Sequence, residues 1–366
     1  MKGLGTRPFE WLYMIKSYKH IEIVRSTISS LSSMSQESCD AIYAVLAKHF
    51  INVGITVINN LSDLDGLVAL RPDLVFLGME FVPMSSALGS ADFRKIWLSD
   101  YLDQYDIAYT GSSQKAHEFG RNKPLAKQCV LDANIRTSAY CVIKQNLSLC
   151  ESDIRLDYPL FIKPTSGGGG LGIDSDSVAH NFGQVRSKVE AISTELRSDS
   201  LIEEYLPGRE FSVAILKDEH TAEYLGLPIE LIAPSDKHGA RLLSSQVKSS
   251  NTEQALLVTD TLLKSKVVAL ALGVFDSLGA RDYGRIDIRL DANGIPHFLE
   301  ANLIPSLISG YGSFPKACVL NIGLEYEPMI MKIATLGLAH KENTIVEVRG
   351  SKAMSYSVFS TTEVVS

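Results

Sequence analysis

The sequence predicts a protein of mixed α/β class, with an open α/β domain followed by two α+β units. The chain has 366 residues, which is enough for two or three domains. Between residues 20 and 112, short apolar strands alternate with helical patterns, as in open α/β sheets. Longer helices and paired strands then form the two later units. We therefore expect four segments, at residues 1–112, 113–208, 209–340 and a tail at 341–366.

Apolar spacing and turn residues place the individual elements. Ile42, Val45 and Leu46, for example, lie on one face of a helix. Strands are expected at residues 20–25, 54–59, 74–78, 107–111, 139–143, 201–206, 209–216 and 223–231. Helices are expected at residues 37–50, 92–104, 115–133, 178–194 and 254–278. Two closing helices follow, with a candidate strand at 344–348 in the polar tail.

Composition is that of an ordinary globular protein, with 45% hydrophobic and 21% charged residues and a net charge of -7. The negative charge argues against nucleic acid or an anionic membrane as the main partner. The first twenty residues carry Glu10 and Lys16 and lack a long apolar core, so neither a signal peptide nor a membrane span is expected. Five scattered cysteines without a C-x-x-C motif indicate reduced thiols in a cytoplasmic protein.

The most informative stretch is YPLFIKPTSGGGGLGI at residues 158–173. Its apolar run predicts a buried strand that Pro164 ends. Four consecutive glycines, residues 167–170, suit close approach of backbone N–H groups to phosphate oxygens, with Lys163 adding positive charge. A flexible surface loop is the alternative. No Lys-Ser/Thr pair follows, so the stretch is not a Walker loop, and the polar residues after Gly172 weaken a dinucleotide-binding interpretation.

A second stretch, YGRIDIRLDANGIPHFLEANL at residues 283–303, predicts a β-hairpin with an Ala-Asn-Gly turn. If the loop holds residues 292–295, Asp291 pairs with Pro296. Counting back along both strands then sets Asp287 opposite Glu300 and Arg285 opposite Asn302. The same alternation places Phe298, Glu300 and Asn302 on one face of their strand.

Two carboxylates and an amide oxygen on one face repel one another unless a cation lies among them. An all-oxygen ligand set suits Mg²⁺, which usually shares its coordination with nucleotide phosphates. The alternative is a solvated hairpin face on which Arg285 and Arg289 balance the acids. The hairpin alone leaves both interpretations open.

Taken together, these motifs resemble the ATP-grasp superfamily, and most closely the D-alanine–D-alanine ligase group. A lysine-rich helix, F-I-K-P with its glycine loop, E-E-Y-L-P-G-R-E-F and G-R-I-D…L-E-A-N occur in the family's order. Y-T-G-S at residues 109–112 and S-F-P-K at residues 313–316 also match. The resemblance covers residues 107–338 and implies a three-domain ATP-grasp fold with an open α/β N-terminal domain.

The resemblance also implies roles for the matching positions. Lys123 and Lys163 would contact the phosphates of ATP, under a loop of Gly168, Gly169 and Gly170. The base and ribose would contact Glu203, Tyr205, Leu206 and Glu210. Two Mg²⁺ ions would be held by Asp287, Glu300 and Asn302. Arg285, with Lys163, would act in catalysis, and the amino-acid side of the site would include Ser313, the backbone at Phe314, and Arg241 near the lid.

The implied reaction joins two amino acids in two steps. The carboxylate of the first amino acid attacks the γ-phosphate of ATP, which gives an acyl phosphate and ADP. The amine of the second amino acid then displaces phosphate and forms an amide. The resemblance further suggests a homodimer that assembles through the N-terminal domain.

Departures from the family pattern concentrate at the site of the first amino acid. The strand at residues 20–25 is followed by Ser-Thr-Ile-Ser-Ser where the family has Gly-Gly-x-Ser-x-Glu, whose glutamate holds the ammonium group. The family's serine pair falls at Gly169 and Gly170, and its lid tyrosine near Leu242. A joint loss suggests a changed first substrate, with Glu80 or Asp92 as a replacement carboxylate.

Three functions therefore compete. A ligase of cell-wall synthesis or of a specialised peptide or antibiotic pathway explains both the glycine loop and the acidic hairpin. An ATP-binding regulator or scaffold without ligase activity would have no use for Arg285. A dinucleotide-dependent enzyme, built on Gly167, Gly169 and Gly172, leaves the hairpin unexplained.

Overall fold

The computed structural model describes residues 16–84, 94–147, 149–219, 221–235 and 239–354. They form two four-stranded sheets, one five-stranded sheet and a small two-stranded sheet, with helices packed around them. All five cysteines are free thiols. Within these ranges no helix is both long and apolar enough to cross a membrane.

The N-terminal elements form an open parallel sheet flanked by helices. In chain order they are β1 (Ser17–Arg25), α1 (Gln36–His49), β2 (Phe50–Val57), α2 (Leu61–Ala69), β3 (Leu74–Leu77), β4 (Phe81–Pro83), β5 (Lys95–Trp97), α3 (Leu98–Gln104) and β6 (Ala108–Tyr109). The strand order is β2-β1-β3-β6, and all pairs are parallel. Ser35 caps α1 by accepting a hydrogen bond from the Ser38 N–H.

The predicted helix at 92–104 is wrong in its first part. The helix begins at Leu98, and the three residues before it form β5. Strand β5 pairs with β4, and the rings of Phe81 and Trp97 meet edge to face at 5.4 Å. Residues 92 and 93, and with them the candidate Asp92, lie outside the described residues.

The central elements build the second sheet. They are α4 (Gln114–Arg121), α5 (Lys123–Asp132), β7 (Tyr140–Ile143), β8 (Leu160–Pro164), β9 (Val178–Ala179), α6 (Phe182–Glu195) and β10 (Ser200–Glu204). The strand order is β7-β10-β8-β9, with antiparallel pairing throughout.

The single helix predicted at 115–133 is wrong, because the chain forms two helices with a break at Asn122. The Asn122 side chain accepts a hydrogen bond from Leu125 N–H and caps α5, and Pro124 lies in the first turn, where its missing N–H costs nothing. The break places Lys123 at the start of α5, where it faces the glycine loop.

The third sheet is the largest. Its region contains β11 (Glu210–Lys217), β12 (Tyr224–Ile232), α7 (Ser245–Ser250), β13 (Gln254–Leu257), α8 (Thr261–Ser277), β14 (Tyr283–Leu290) and β15 (Pro296–Asn302), followed by α9 (Ser313–Ile322) and α10 (Tyr326–Met354). The strand order is β13-β12-β11-β14-β15.

Two predictions in this region are wrong. The helix expected at 254–278 begins only at Thr261, because Asp260 accepts hydrogen bonds from two N–H groups of the first turn and caps it. The residues before this cap pair with β12 as the edge strand β13. The candidate strand at 344–348 lies inside α10, where its β-branched residues suggested a strand but did not prevent a helix.

The β14–β15 hairpin is partly as predicted. Asp287 lies opposite Glu300 and Arg285 opposite Asn302, as expected, but Pro296 pairs with Leu290 instead of Asp291. A bulge between the two halves of the ladder absorbs the one-residue difference.

The bulge also corrects the predicted face of β15. Phe298 pairs with Ile288 and is fully buried in the core cluster that contains Ile286. Glu300 instead pairs with Asp287 and lines a pocket. Phe298 therefore does not share a face with the acids, and the bulge lets one strand serve both the core and the pocket.

Candidate active site

Two adjoining pockets lie where the end of β8, the start of α5 and the β14–β15 hairpin meet. Pocket A is lined by Ser138, Phe161, Lys163, Gly170, Ile173, Glu203, Glu204, Tyr205, Leu206, Glu210, Leu242, Leu243, Lys248, Asp287, Arg289, Leu299 and Glu300. Pocket B is lined by Ser33, Glu80, Gly120, Arg121, Lys123, Gly167, Gly168, Glu300, Ala301, Asn302, Leu303 and Ile304. Glu300 lines both pockets and marks the place where they meet.

Most of the predicted site residues line these pockets. Eight line pocket A, namely Lys163, Gly170, Glu203, Tyr205, Leu206, Glu210, Asp287 and Glu300. Lys123, Gly168 and Asn302 line pocket B. Neither pocket is lined by Gly169, Arg285, Arg241, Ser313 or Phe314.

The three predicted amino-acid contacts lie in different surroundings. Phe314 is fully buried, with its ring edge-on to Tyr283 at 5.8 Å, so only its backbone could serve a ligand. Ser313 is the first residue of α9. Arg241 donates a hydrogen bond to the Ala233 carbonyl at 2.7 Å, which turns its guanidinium toward its own loop.

A buried network of charges holds Lys163 at the end of β8. Its Nζ lies 2.7 Å from one carboxylate oxygen of Glu203, while Lys127 Nζ lies 2.5 Å from the other. Burial alone would raise the pKa of Glu203, but the two lysines outweigh it and lower the pKa to about 2. Burial would lower the pKa of Lys163, but Glu203 and Glu300 raise it. Lys163 is therefore a fixed positive charge.

This network gives the side chain of Glu203 a role of its own. The predicted contact with the adenine was through backbone groups and stays a prediction, while both carboxylate oxygens lie against the lysines and Ser138 donates a further bond of 2.9 Å. The side chain positions Lys163. Lys127, which is fully buried, is a member of the site that sequence reasoning missed, although its place on the lysine-rich helix was visible.

Lys123 and the glycine loop form the junction between the pockets. Lys123 Nζ donates to the Gly167 carbonyl at 2.6 Å and lies 3.8 Å from Glu300. Among the described residues, the N–H groups of Gly168, Gly169 and Gly170 donate to no protein atom. Free N–H groups beside lysines fit the phosphates of a nucleotide.

In the β14–β15 hairpin, the carboxylate of Asp287 is held by hydrogen bonds, whereas that of Glu300 is available to a ligand. Asp287 accepts bonds from Arg285 at 2.9 and 3.0 Å and from Ser212 at 2.8 Å. The pKa of Glu300 falls to about 2, because Lys123, Lys248 and other cations outweigh its burial.

In the described part of the chain, no group of three or more His, Cys, Asp or Glu side chains could hold a metal ion. Mg²⁺ therefore fits the set of Asp287, Glu300 and Asn302 only if phosphate oxygens and water complete its coordination. Mg²⁺ sites in proteins usually include such ligands.

Pocket A also has an apolar part of its lining, which suits a flat base. Phe161, Ile173, Leu206, Leu242 and Leu299 contribute to its walls. Among its polar lining residues, Arg289 donates to Glu210 at 3.0 Å. The guanidinium of the same arginine lies 5.4 Å from the centre of the Tyr205 ring.

A short segment, residues 242–248, contributes Leu242, Leu243 and Lys248 to the lining of pocket A and is called the lid segment below. Its Lys248 lowers the pKa of Glu300, but sequence analysis missed it because the segment has no apolar periodicity. Gly170 packs directly on this segment, since a Cβ at this position would lie 2.6 Å from Ser245 N. The glycine loop and the lid segment thus close the same pocket.

The fold and this site define an ATP-grasp protein. The family model described as "D-ala D-ala ligase C-terminus" matches residues 132–335. The chain belongs to this family and is an ATP-grasp, D-alanine–D-alanine ligase-like protein.

Two curated relatives show how distant the resemblance is. A D-alanine–D-alanine ligase of Cupriavidus metallidurans is 29% identical over 248 residues, which cover 66% of this chain and 72% of the relative. A Sinorhizobium fredii protein, described as "Uncharacterized protein y4sG", is 28% identical over 254 residues, 68% of this chain and 71% of the relative.

Solved structures confirm the fold over nearly the whole chain. A Bacillus anthracis D-alanine–D-alanine ligase complexed with ATP has a TM-score of 0.68 and 19% identity, covering 89% of this chain and 99% of its own. The Coxiella burnetii D-alanine–D-alanine ligase has a TM-score of 0.64 and 15% identity, covering 93% and 100%.

Proposed function

We propose that this chain is an ADP-forming ligase that joins two amino acids through an acyl phosphate. The observation that carries the proposal is the convergence of Lys123, Lys163 and Glu300 at the junction of the two pockets. Pocket A accommodates the nucleotide, and pocket B the amino acids. The γ-phosphate would then lie where Glu300 lines both.

Mg-ATP supplies the phosphoryl group and part of the charge neutralisation when bound. Lys123 and Lys163 bind the phosphates and offset the negative charge of the transferring group. Asp287, Glu300 and Asn302 would hold one or two Mg²⁺ ions together with phosphate oxygens. Arg285, beside the hairpin acids, would stabilise the oxyanion of the second step.

Several finer points belong to the same proposal. The first substrate is an amino acid other than D-alanine, because the family's serine, tyrosine and N-terminal glutamate are absent together. A specialised peptide or antibiotic pathway would use such an enzyme. We also propose that the protein is cytoplasmic, that it forms a homodimer, and that it is divided into domains at residues 112, 208 and 340.

The test is amino-acid-dependent ADP release with Mg-ATP. D-alanine alone is assayed first, then pairs of D-, L- and non-standard amino acids, with products identified by mass spectrometry. Turnover with a pair that lacks D-alanine supports both the ligase assignment and the changed first substrate. Formation of D-alanyl-D-alanine contradicts the changed first substrate and leaves the ligase assignment in place.

Glu300→Gln tests the proposed metal site. The variant should lose at least a hundredfold in ADP formation, because the available carboxylate at the pocket junction becomes neutral. Circular dichroism and thermal unfolding serve as the control for folding. Undiminished turnover by a folded variant contradicts the metal role.

One observation favours a second candidate, an ATP-binding regulator without ligase activity. Asp287 is held by Arg285 in two hydrogen bonds, which reduces its availability as a metal ligand. Nucleotide binding by titration, with no ADP from any amino acid, would support this candidate.

A further inference from the structure

Pocket B ends in a buried carboxylate that the proposed reaction has not yet used. Glu80 lies just after β3, lines the pocket together with Ser33 and Arg121, and is 7% exposed. The same pocket is also lined by Lys123, Glu300 and Asn302, where the phosphoryl group would be transferred. Glu80 and these residues thus share one pocket.

The hydrogen bonding of Glu80 is incomplete. Its Oε2 atom is buried and accepts no hydrogen bond, although Arg121 Nε lies 3.3 Å from this same oxygen as a single ion-pair contact. A buried carboxylate oxygen without a donor is costly, so its presence calls for an explanation.

Two other arginine–carboxylate pairs in this protein are bidentate. Arg209 donates two bonds to Glu230, at 2.8 and 2.6 Å, although that pair is more exposed. Arg285 likewise donates two bonds to Asp287. The Glu80 pair lacks this bidentate geometry, since Arg121 contacts Oε2 alone.

Arg121 is held in place independently of the carboxylate. It ends α4, and its guanidinium carbon lies 5.1 Å from the centre of the Phe81 ring. Burial raises the pKa of Glu80 to about 7, while Arg121 and Lys95 act in the opposite direction. A further cation in the pocket would stabilise the ionised carboxylate.

We propose that Glu80 accepts the ammonium group of the first amino acid, with Arg121 as a positioning residue. Arg121 pairs with Glu80 through a single contact, so this acceptor group can take a further N–H donor but not a second carboxylate. An α-amino acid bound this way can present its carboxylate to Lys123, a cation that lines the same pocket. This inference rests on the proposed ligase function and assigns the substrate class, a free α-amino acid, to pocket B.

The test compares amino acids with their hydroxy-acid counterparts. Wild-type enzyme and Glu80→Gln are assayed for ADP release with the best first amino acid from the screen above and with the same acid carrying hydroxyl in place of ammonium. Wild type should prefer the amino acid at least tenfold in kcat/KM, since a charged hydrogen bond is lost with the analogue. Glu80→Gln should lose most of that preference, with the KM for ATP unchanged.

Glu118→Gln is the matched control. It removes a carboxylate from α4 that, like Glu80, raises the pKa of Lys95, but Glu118 does not line pocket B. This variant should keep the wild-type preference. Arg121→Lys should weaken binding of the amino acid while retaining part of the preference, as a positioning role requires.

The outcomes separate this inference from the proposed function. Absence of ADP release from wild type with every amino acid contradicts the ligase function itself. In another outcome, wild-type enzyme turns over and Glu80→Gln keeps the full preference for the amino acid over the hydroxy acid. That result leaves the ligase function in place and overturns the role of Glu80. A wild-type enzyme that prefers the hydroxy acid also overturns it.

Discussion

The charges of the site depend on individual buried residues whose partners are distant in sequence. Glu203 neutralises both Lys127 and Lys163, which lie on α5 and β8. Lys163 and Glu203 could be selected from their motifs, because each lies in a recognisable strand. Lys127, Lys248 and the Glu80 pair could not, since their roles arise only when separate elements meet.

Removing the negative charge of Glu203, which Lys127 and Lys163 share, should strongly destabilise the protein. Glu203→Gln leaves two buried lysines without a counter-charge, and we expect a loss of about 3–5 kcal/mol in the free energy of unfolding. Urea denaturation at pH 7 measures it. Glu204→Gln, at the exposed neighbouring position, is the control and should change stability by less than about 0.5 kcal/mol. Equal stability of the two variants would contradict the network.

Glu80 should make the stability of the ligand-free protein depend on pH. Burial raises its pKa from 4.5 to about 7, so the folded state keeps a proton that the unfolded state has lost. Stability should therefore fall as pH rises from 4.5 to 7, by an amount on the order of 3 kcal/mol.

Glu80→Gln lacks this titration and isolates it. Urea denaturation of both proteins between pH 4.5 and 8 gives the difference in unfolding free energy. The variant should gain stability relative to wild type as pH increases. Parallel curves would show that Glu80 has the same pKa in both states.

Among the secondary-structure elements, the sequence predicted which strands exist better than it predicted where strands and helices begin and end. The hairpin pairs Asp287 with Glu300 as predicted, but only because two errors cancelled. The loop is one residue longer than expected, since Leu290 pairs with Pro296, and an unforeseen bulge restores the register. The helix breaks before Lys123 and Thr261 depend on capping side chains, Asn122 and Asp260. Apolar periodicity does not reveal such breaks, because the apolar pattern continues across them.

The contact between glycine loop and lid segment gives an element-scale prediction. Gly170 has a φ of +79°, and an added Cβ would lie 2.6 Å from backbone Ser245 N. Gly170→Ala should therefore open pocket A and weaken binding of a non-hydrolysable ATP analogue at least tenfold. Calorimetric titration measures this affinity.

Gly294→Ala controls for backbone strain alone. Its φ is +75°, but an added Cβ meets nothing within 4 Å. Both variants should lose roughly 1 kcal/mol of stability from the left-handed backbone. Only Gly170→Ala should lose nucleotide affinity, and an equal loss in both would exclude the lid contact as the cause.

In the whole molecule, the N-terminal sheet and the third sheet share one hydrophobic core. The cluster that contains Leu74 and Phe76 of β3 also contains Phe314 of α9 and Met329 and Ile330 of α10. The sequence divides the chain into successive units, but α10 returns to cover the first sheet. This return could not be predicted, because nothing in the apolar pattern of α10 specifies which sheet it covers.

Helix α10 therefore connects the two halves of pocket B. Glu80 follows β3, on which α10 packs, while Glu300 belongs to the third sheet. At Gly337 of α10, an added Cβ would lie 2.7 Å from Leu74 Cδ1 and 3.2 Å from Thr110 Cγ2. Gly337→Val should force the helix away from β3 and cost about 1–3 kcal/mol of stability.

The same displacement should move Glu80 relative to Glu300. The KM for the first amino acid should then rise severalfold, while the KM for ATP, whose pocket lies away from α10, changes little. Gly66→Val in α2 is the matched control, because it introduces the same residue inside a helix where a Cβ meets nothing within 4 Å. Equal effects of the two variants on the KM for the amino acid would mean that α10 does not set the geometry of pocket B.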